Sequence, residues 1–280
     1  MKFIIHGATG AQGAPLYKKL ITEGKNAVAA VRNPADIAGG QTVAVDMSSV
    51  DSLVKAYTDA DGVFIHLPLG SEDQRLHYAY TVAEAVDKAR PKRVVISTSG
   101  WKLEASSDNR AVPALIREIE NTGVSVATVA PVQYLENLLL PIVIEAIKQE
   151  HKLPYPLRDD FPVSWCSHLD VADVAAVLLT HSSLTGAVSV GMLPALTGTE
   201  LALAFSSHYG YDIKYESQTP EAFGKKLSVL FGEAAAAEVA AAYEAKAKTT
   251  GATIDPKISA QKQLGLSVRT VEQWLSNIGA

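Results

Sequence analysis

Lys2-Phe3-Ile4-Ile5-His6-Gly7-Ala8-Thr9-Gly10-Ala11-Gln12-Gly13 opens the 280-residue chain, and its reading decides the fold. A short apolar run stops at Gly7, three glycines follow at three-residue spacing, and Ala14 to Glu23 then repeats its apolar residues with helical period. Strand, glycine turn and helix in that order let the backbone turn tightly and approach an anion, whose charge faces the helix N-terminus. The spacing is G-x-x-G-x-x-G, not the commoner G-x-G-x-x-G. An ordinary tight turn would look the same locally, but this one opens the first βαβ unit of an α/β pattern, where a dinucleotide pyrophosphate is bound.

Working outward, Ala27 to Val31 and Thr42 to Val45 read as the second and third strands, and Val50 to Tyr57 as a helix. Gly62 to His66 is the fourth strand, Asp73 to Ala89 a long helix, Arg93 to Ser97 the fifth strand, Pro113 to Asn121 a helix and Val124 to Ala130 the sixth strand. Strands alternating with helices need crossover connections, so the chain is predicted to be α/β, a doubly wound parallel-sheet Rossmann fold. Residues 1–150 are expected to form this domain. Residues 151–280 are expected to form a smaller C-terminal α/β lobe whose chain returns in part to the sheet.

The later elements are expected as follows. Glu136 to Gln149 reads as one helix, Lys152 to Phe161 as a proline-rich loop, and Asp170 as the cap of a helix over Val171 to Leu179, with Asp173 in its first turn. Ala187 to Val190 reads as a strand; Thr199 to Gly210, the alanine-rich Glu233 to Lys248, and Thr270 to Ile278 read as helices.

Composition removes several classes of function. Hydrophobic residues make up 48% of the chain and charged residues 20%, which excludes intrinsic disorder. The 25 basic and 30 acidic residues give a net charge of -5 with no basic block, so no direct nucleic-acid partner is expected. No apolar run reaches the length of a membrane span, and none resembles the core of a secretion signal; the reading is a soluble cytoplasmic protein, monomer or homodimer. The single cysteine, Cys166, reads as an inert buried thiol, and the scattered histidines give no metal motif. Ser97-Thr98-Ser99 lacks the Gly-x-Ser-x-Gly context of a hydrolase nucleophile.

The type of dinucleotide follows from the end of the second strand. NAD-binding folds place an acidic residue there for the ribose 2′-hydroxyl. This chain has Arg32, within Val31-Arg32-Asn33-Pro34. A guanidinium pairs with a 2′-phosphate and offers no acceptor, so NADP(H) is the expected cofactor, unless Arg32 is simply a solvated surface residue.

The Gly-Ala-Thr-Gly-x-x-Gly turn, the Val-Arg-Asn-Pro strand end and Asp46 after the third strand resemble the NmrA-like proteins, atypical members of the short-chain dehydrogenase/reductase superfamily. Thr122-Gly123-Val124 leading to Pro131, then Tyr134 and Glu136-Asn137, and Leu169-Asp170-Val171-Ala172-Asp173-Val174-Ala175, carry the same resemblance over most of the chain. The resemblance implies NADP(H) held by Gly7, Thr9, Gly10, Ala11, Gln12 and Gly13. It also implies Asp46 and Met47 near the adenine, and His66, Leu67, Pro68, Ser97, Thr98 and Ser99 near the nicotinamide. From the residues alone, His66 either lines the cofactor cleft or caps its strand.

The superfamily's Tyr-x-x-x-Lys pair is missing: no tyrosine has a lysine four residues on. Isoflavone-reductase-like relatives carry a lysine on the helix before the sixth strand, where this chain has Val112. Without that acid, an acceptor that needs little proton help is favoured: a quinone, an azo or dye compound, or an enone. The expectation is a quinone-reductase-like, NADPH-dependent oxidoreductase. The alternative, also present among NmrA-like relatives, is a redox sensor that binds NADP(H) without turnover. Tyr134 is the candidate proton donor, and Gln133, Asn137, Trp101 and Trp165 are the candidate substrate residues for a small aromatic or quinone-like molecule; each aromatic side chain could equally be core packing.

Overall fold

The computed structural model describes residues 1–37, 39–100, 108–180 and 183–280. In chain order its elements begin β1 (Lys2–His6), α1 (Gly13–Thr22), β2 (Asn26–Val31), β3 (Thr42–Ala44), α2 (Val50–Tyr57), β4 (Gly62–Ile65), α3 (Glu72–Ala89) and β5 (Arg93–Ser97). They continue with α4 (Ala111–Asn121), β6 (Ser125–Pro131), β7 (Gln133–Tyr134), α5 (Pro141–Glu150), β8 (Lys152–Tyr155), β9 (Trp165–Cys166) and α6 (His168–Thr180). The last are β10 (Gly186–Val190), α7 (Gly198–Tyr209), β11 (Lys214–Ser217), α8 (Pro220–Phe231), α9 (Glu233–Ala247), α10 (Ala260–Leu264) and α11 (Val271–Ile278).

The chain divides into two compact units. The first holds Met1–Pro131, His168–Val190 and Lys257–Leu266. Its seven strands run in the order β10-β6-β5-β4-β1-β2-β3, and each pairs with its neighbours in parallel. Ile4, on β1, is flanked by Val28 of β2 and Val63 of β4, and all three are buried, as expected of strands covered on both faces. One helical layer has α1 against α6; the other has α3 between α2 and α4. This is a doubly wound Rossmann-like sheet. Its strand order reverses between β1 and β4, and that switch point is where such sheets bind ligands.

The second unit holds Val132–Ser167, Gly191–Pro256 and Ser267–Ala280, around a core of Tyr155, Trp165, Phe205, Phe223 and Trp274. Three sequence expectations are corrected by proline and capping chemistry. Residues 136–149 are not one helix: a 3₁₀ turn, Leu135–Leu139, precedes α5, which starts on Pro141. Proline lacks an N–H and fits a first helical turn, not a helix interior. Lys152 to Phe161 is not all loop, because β8 pairs in parallel with β11. Pro154 is tolerated there since the pair is two-stranded and each strand is an edge. Asp170 lies inside α6, whose first residue is His168, so it does not cap that helix. Asp173 of α6 instead pairs with Lys19 of α1 at 2.9 Å.

Two helices escaped the sequence reading, α8 and the five-residue α10. In α8, Thr219 accepts the Ala222 N–H at 3.1 Å and Pro220 opens the first turn. The segment folds back through Gly232 (φ 81°) onto α9, and a Cβ at Gly224 would lie only 2.9 Å from Ala240. Small residues let the two helices approach.

Candidate functional site

The site is built at the carboxyl ends of β1, β2, β4 and β5 in the first unit. Gly7 ends β1 with φ +63°, a backbone state that costs glycine nothing, and a Cβ there would fall 2.3 Å from His66 Nε2. At Gly13 a Cβ would meet the Gly7 oxygen at 2.3 Å and the His6 oxygen at 2.4 Å. Both glycines are therefore demanded by the protein's own packing. Gly10 is different: its nearest neighbour would be the Gly7 oxygen at 3.3 Å, and the residue is exposed. Nothing inside the fold strongly forbids a side chain at position 10, so the glycine answers to something approaching from outside.

The turn is closed by Gly10 N–H donating to the Gly7 oxygen at 2.8 Å and Ala14 N–H to the Gly10 oxygen at 3.0 Å. Thr9, Gly10 and Ala11 form its exposed tip, whereas Gln12 and Gly13 are buried. The Gln12 side chain does not cap α1, and the first turn of α1 holds no acidic residue. The field at that helix N-terminus is thus left to an external anion.

Around the turn, two buried polar atoms have no partner within the protein: His66 Nε2 and Thr98 Oγ1. Burial holds the His66 imidazole below its usual pKa, against a hydrogen bond with the Leu67 backbone, and the nearby His168 lowers it further. His66 is therefore neutral at physiological pH, with its ring against Gly7. Leu67 is buried and Pro68 partly so. At the end of β5, Ser97 and the following Thr98 are buried, and Ser99 takes a left-handed φ of 54°. Orphaned acceptors and hydroxyls beside an open glycine tip fit a polyhydroxylated, anionic ligand such as a dinucleotide.

At the end of β2, Arg32 is exposed and forms no ion pair with the described residues. Asn33 caps the short turn after it, accepting the Ala35 N–H and donating to Asp36, both at 3.2 Å, which fixes where the Arg32 backbone leaves the sheet. Asp46 is exposed; the Ser48 hydroxyl and N–H, at 2.6 and 2.9 Å, hold its carboxyl below the usual range. Met47 packs its side chain partly into the core. Val112 is 3% exposed in the core, so a lysine is replaced there by packing.

Beneath the turn, His6 and Tyr57 form a closed pair. Tyr57 Oη lies 2.8 Å from His6 Nε2, both side chains are buried, and burial, with a smaller contribution from His66, lowers the His6 pKa to about 3. The neutral imidazole and the phenol share one hydrogen bond.

The expected substrate residues sit differently. Gln133 is 5% exposed, and its amide nitrogen donates to Tyr155 Oη at 2.8 Å and to Tyr243 Oη at 2.9 Å while its oxygen accepts from Lys246. The two hydroxyls are 2.5 Å apart, and Asn137 lies beside both. Trp165 is 2% exposed and meets Tyr155 edge-on at 5.3 Å. Gln133 and Trp165 thus serve the core of the second unit, because a buried amide must spend its hydrogen bonds where it lies. Tyr134, on β7, is half-buried with its hydroxyl oxygen enclosed. Trp101 lies outside the described residues. Cys166 is buried, its thiol 3.5 Å from the Gln133 carbonyl. Sequence reasoning missed Tyr155, Tyr243 and Lys246; their periodicity signals only a strand and a helix, and nothing local marks them as partners.

Among the described residues no cluster of His, Cys, Asp or Glu could hold a metal, and no helix is long and apolar enough to cross a membrane. Solved structures share this fold along nearly the whole chain. Triphenylmethane reductase from Citrobacter sp., complexed with NADP(H), is 20% identical with a TM-score of 0.82 over 99% of each chain. The NADPH-dependent quinone oxidoreductase QOR2 from Escherichia coli, complexed with NADPH, is 18% identical, with a TM-score of 0.76 over 100% of each chain. A nucleoside-diphosphate-sugar epimerase from Staphylococcus aureus is 18% identical, with a TM-score of 0.81 over 98% of this chain and 99% of that one. The family model of the NmrA-like family matches residues 1–275, and the chain belongs to that family.

Proposed function

We propose that the protein is an NADPH-dependent reductase that passes hydride to an electron-poor small molecule: a quinone, an azo or dye compound, or an enone. The observation that carries this reading is the open tip at Gly10 above the uncapped start of α1, with Arg32, not an acidic residue, at the end of β2. Oriented N–H groups and a helix N-terminus suit the pyrophosphate, and a free guanidinium suits a 2′-phosphate. Two similar structures hold NADP(H) or NADPH, which supports the same cofactor here. When bound, NADPH supplies the hydride. The chain supplies the cradle, the neutral His66, and the serine-rich end of β5 beside the reacting ring.

The missing Tyr-x-x-x-Lys pair argues against reversible alcohol oxidation, in which one group must take the hydroxyl proton as hydride leaves and return it to the oxygen in the reverse direction. A reduced quinone leaves as a phenolate that water can protonate. Tyr134 is the phenol we assign to the acceptor side; Tyr134→Phe is expected to raise the acceptor KM more than it slows hydride transfer. The same absence also favours a second reading, a redox sensor that binds NADP(H) without turnover.

Calorimetry tests the cofactor. NADPH should bind at least about tenfold more tightly than NADH, and Arg32→Ala should remove most of that preference, about 1.4 kcal/mol. Equal affinities in the unaltered protein would defeat the assignment. An acceptor screen with stereospecifically deuterated NADPH separates enzyme from sensor: a slowed single turnover with any quinone, dye or enone marks the reductase. Tight binding with no oxidation across the screen marks the sensor.

A further inference from the structure

The side chain of Gln12 points away from the exposed tip of the turn that carries it. It is 7% exposed, and its amide lies between two hydroxyls at the end of β5, more than eighty residues away in sequence. Ser97 Oγ donates to Gln12 Oε1 at 2.6 Å, and Gln12 Nε2 donates to Ser99 Oγ at 2.9 Å. The Ser99 N–H donates to Ser97 Oγ at 3.2 Å. The three bonds close a ring that leaves two hydrogens unused, the Ser99 hydroxyl proton and the second hydrogen on Gln12 Nε2. Ser99 needs this support. Its φ of 54° is left-handed, and a serine there gives up the energy that a glycine would not.

We propose that Gln12 is a positioning residue: an amide clamp that ties the glycine turn to the end of β5 and holds Ser99 in its left-handed state. The dinucleotide cradle and the serine-bearing strand end are then one rigid piece, and the ring leaves the Ser99 hydroxyl as a donor. This rests on the dinucleotide reading of the turn for its consequence in binding, but the clamp is a property of the cofactor-free protein. Gln12 contributes to affinity without its amide touching the cofactor.

The test compares Gln12→Leu, Ser99→Gly and the double variant. Glycine at position 99 accepts positive φ without support, so it removes the need for the clamp. In cofactor-free protein, hydrogen exchange at the Ser99 amide should rise about tenfold in Gln12→Leu, while the inner amides of β5 keep their protection. The NADPH Kd should rise about tenfold in Gln12→Leu but no more than about twofold when the same change is made on Ser99→Gly. A purely structural loss would weaken binding equally in both backgrounds. Ser97→Ala breaks the ring from the other side and should reproduce the exchange pattern at smaller size, which keeps the test intact if Gln12→Leu does not fold. Unchanged exchange at Ser99, or an undiminished effect of Gln12→Leu on the glycine background, overturns the clamp. Failure of the unaltered protein to bind NADPH would overturn the cofactor reading instead, and the exchange data would still decide the clamp.

Discussion

Each unit contains a glutamine amide wedged between two hydroxyls, and the two differ in what surrounds them. Gln133 sits among Tyr155, Tyr243, Asn137 and Lys246 inside an aromatic core; its nitrogen meets two acceptors and its oxygen meets a cation. Gln12 sits at the carboxyl ends of β1 and β5, where Thr98 Oγ1, between its two serines, and His66 Nε2, against Gly7, have no partner. A polar network built for stability closes on itself, because an unpaired buried group costs about 1–3 kcal/mol. A network built for a ligand leaves atoms over. Tyr209 Oη and Gln218 Oε1 in the second unit also lack a partner, but neither is among the partners of Gln133. The leftover atoms therefore separate these two networks more than their polarity does.

The sharpest way to break that contrast uses the glycines. Gly10→Val should abolish NADPH binding in calorimetry while the melting temperature stays within a few degrees, because the added atoms meet only the Gly7 oxygen at 3.3 Å. Gly13→Val should instead prevent folding, since its Cβ would overlap two carbonyl oxygens. Similar melting temperatures for both variants would refute the distinction drawn between the two positions.

Next in size is Gln133→Leu, which removes the shared partner of two tyrosines and a lysine. Urea unfolding should show a loss of about 3 kcal/mol, as for a buried network missing its centre, with the NADPH Kd unchanged. A loss of cofactor affinity without a loss of stability would return Gln133 to the site and undo the comparison.

The smallest effect concerns the closed pair beneath the turn. In the folded protein His6 titrates at about 3, against 6.5 when unfolded, so between those values the unfolded chain binds more protons. Its contribution to stability is therefore present above pH 6.5 and is lost as pH falls towards 3. Between pH 6.5 and 4, His6→Gln should flatten the stability profile by on the order of 2 kcal/mol, with Tyr57 still able to donate to the new amide oxygen. An unchanged acid limb would mean that the imidazole is charged in the native state.

Much of the first unit was legible in sequence. Val50 to Tyr57 and Arg93 to Ser97 form the predicted helix and strand without a shift, because Ser49 caps the one and the other is a continuous β-branched run. The second unit was harder to read. A 3₁₀ turn, a strand containing proline and short paired strands have no periodicity long enough to register, and α8 is announced only by Thr219-Pro220.

By itself the sequence determined the alternation of strands and helices, the glycine turn, Arg32 at a strand end and the absence of a Tyr-x-x-x-Lys pair. These are local properties: periodicity, backbone freedom and spacing act over a few residues. Which amide meets which hydroxyl is a different kind of fact. Gln12 reaches Ser97 and Ser99 only because β4 and β5 lie on the same side of β1, and Gln133 reaches Tyr243 only because α9 folds onto the aromatic core. The two glutamines are alike as residues. The tertiary structure alone decided which would close a core and which would brace a site, because hydrogen-bond partners this distant in sequence are brought together only by the packing of whole elements.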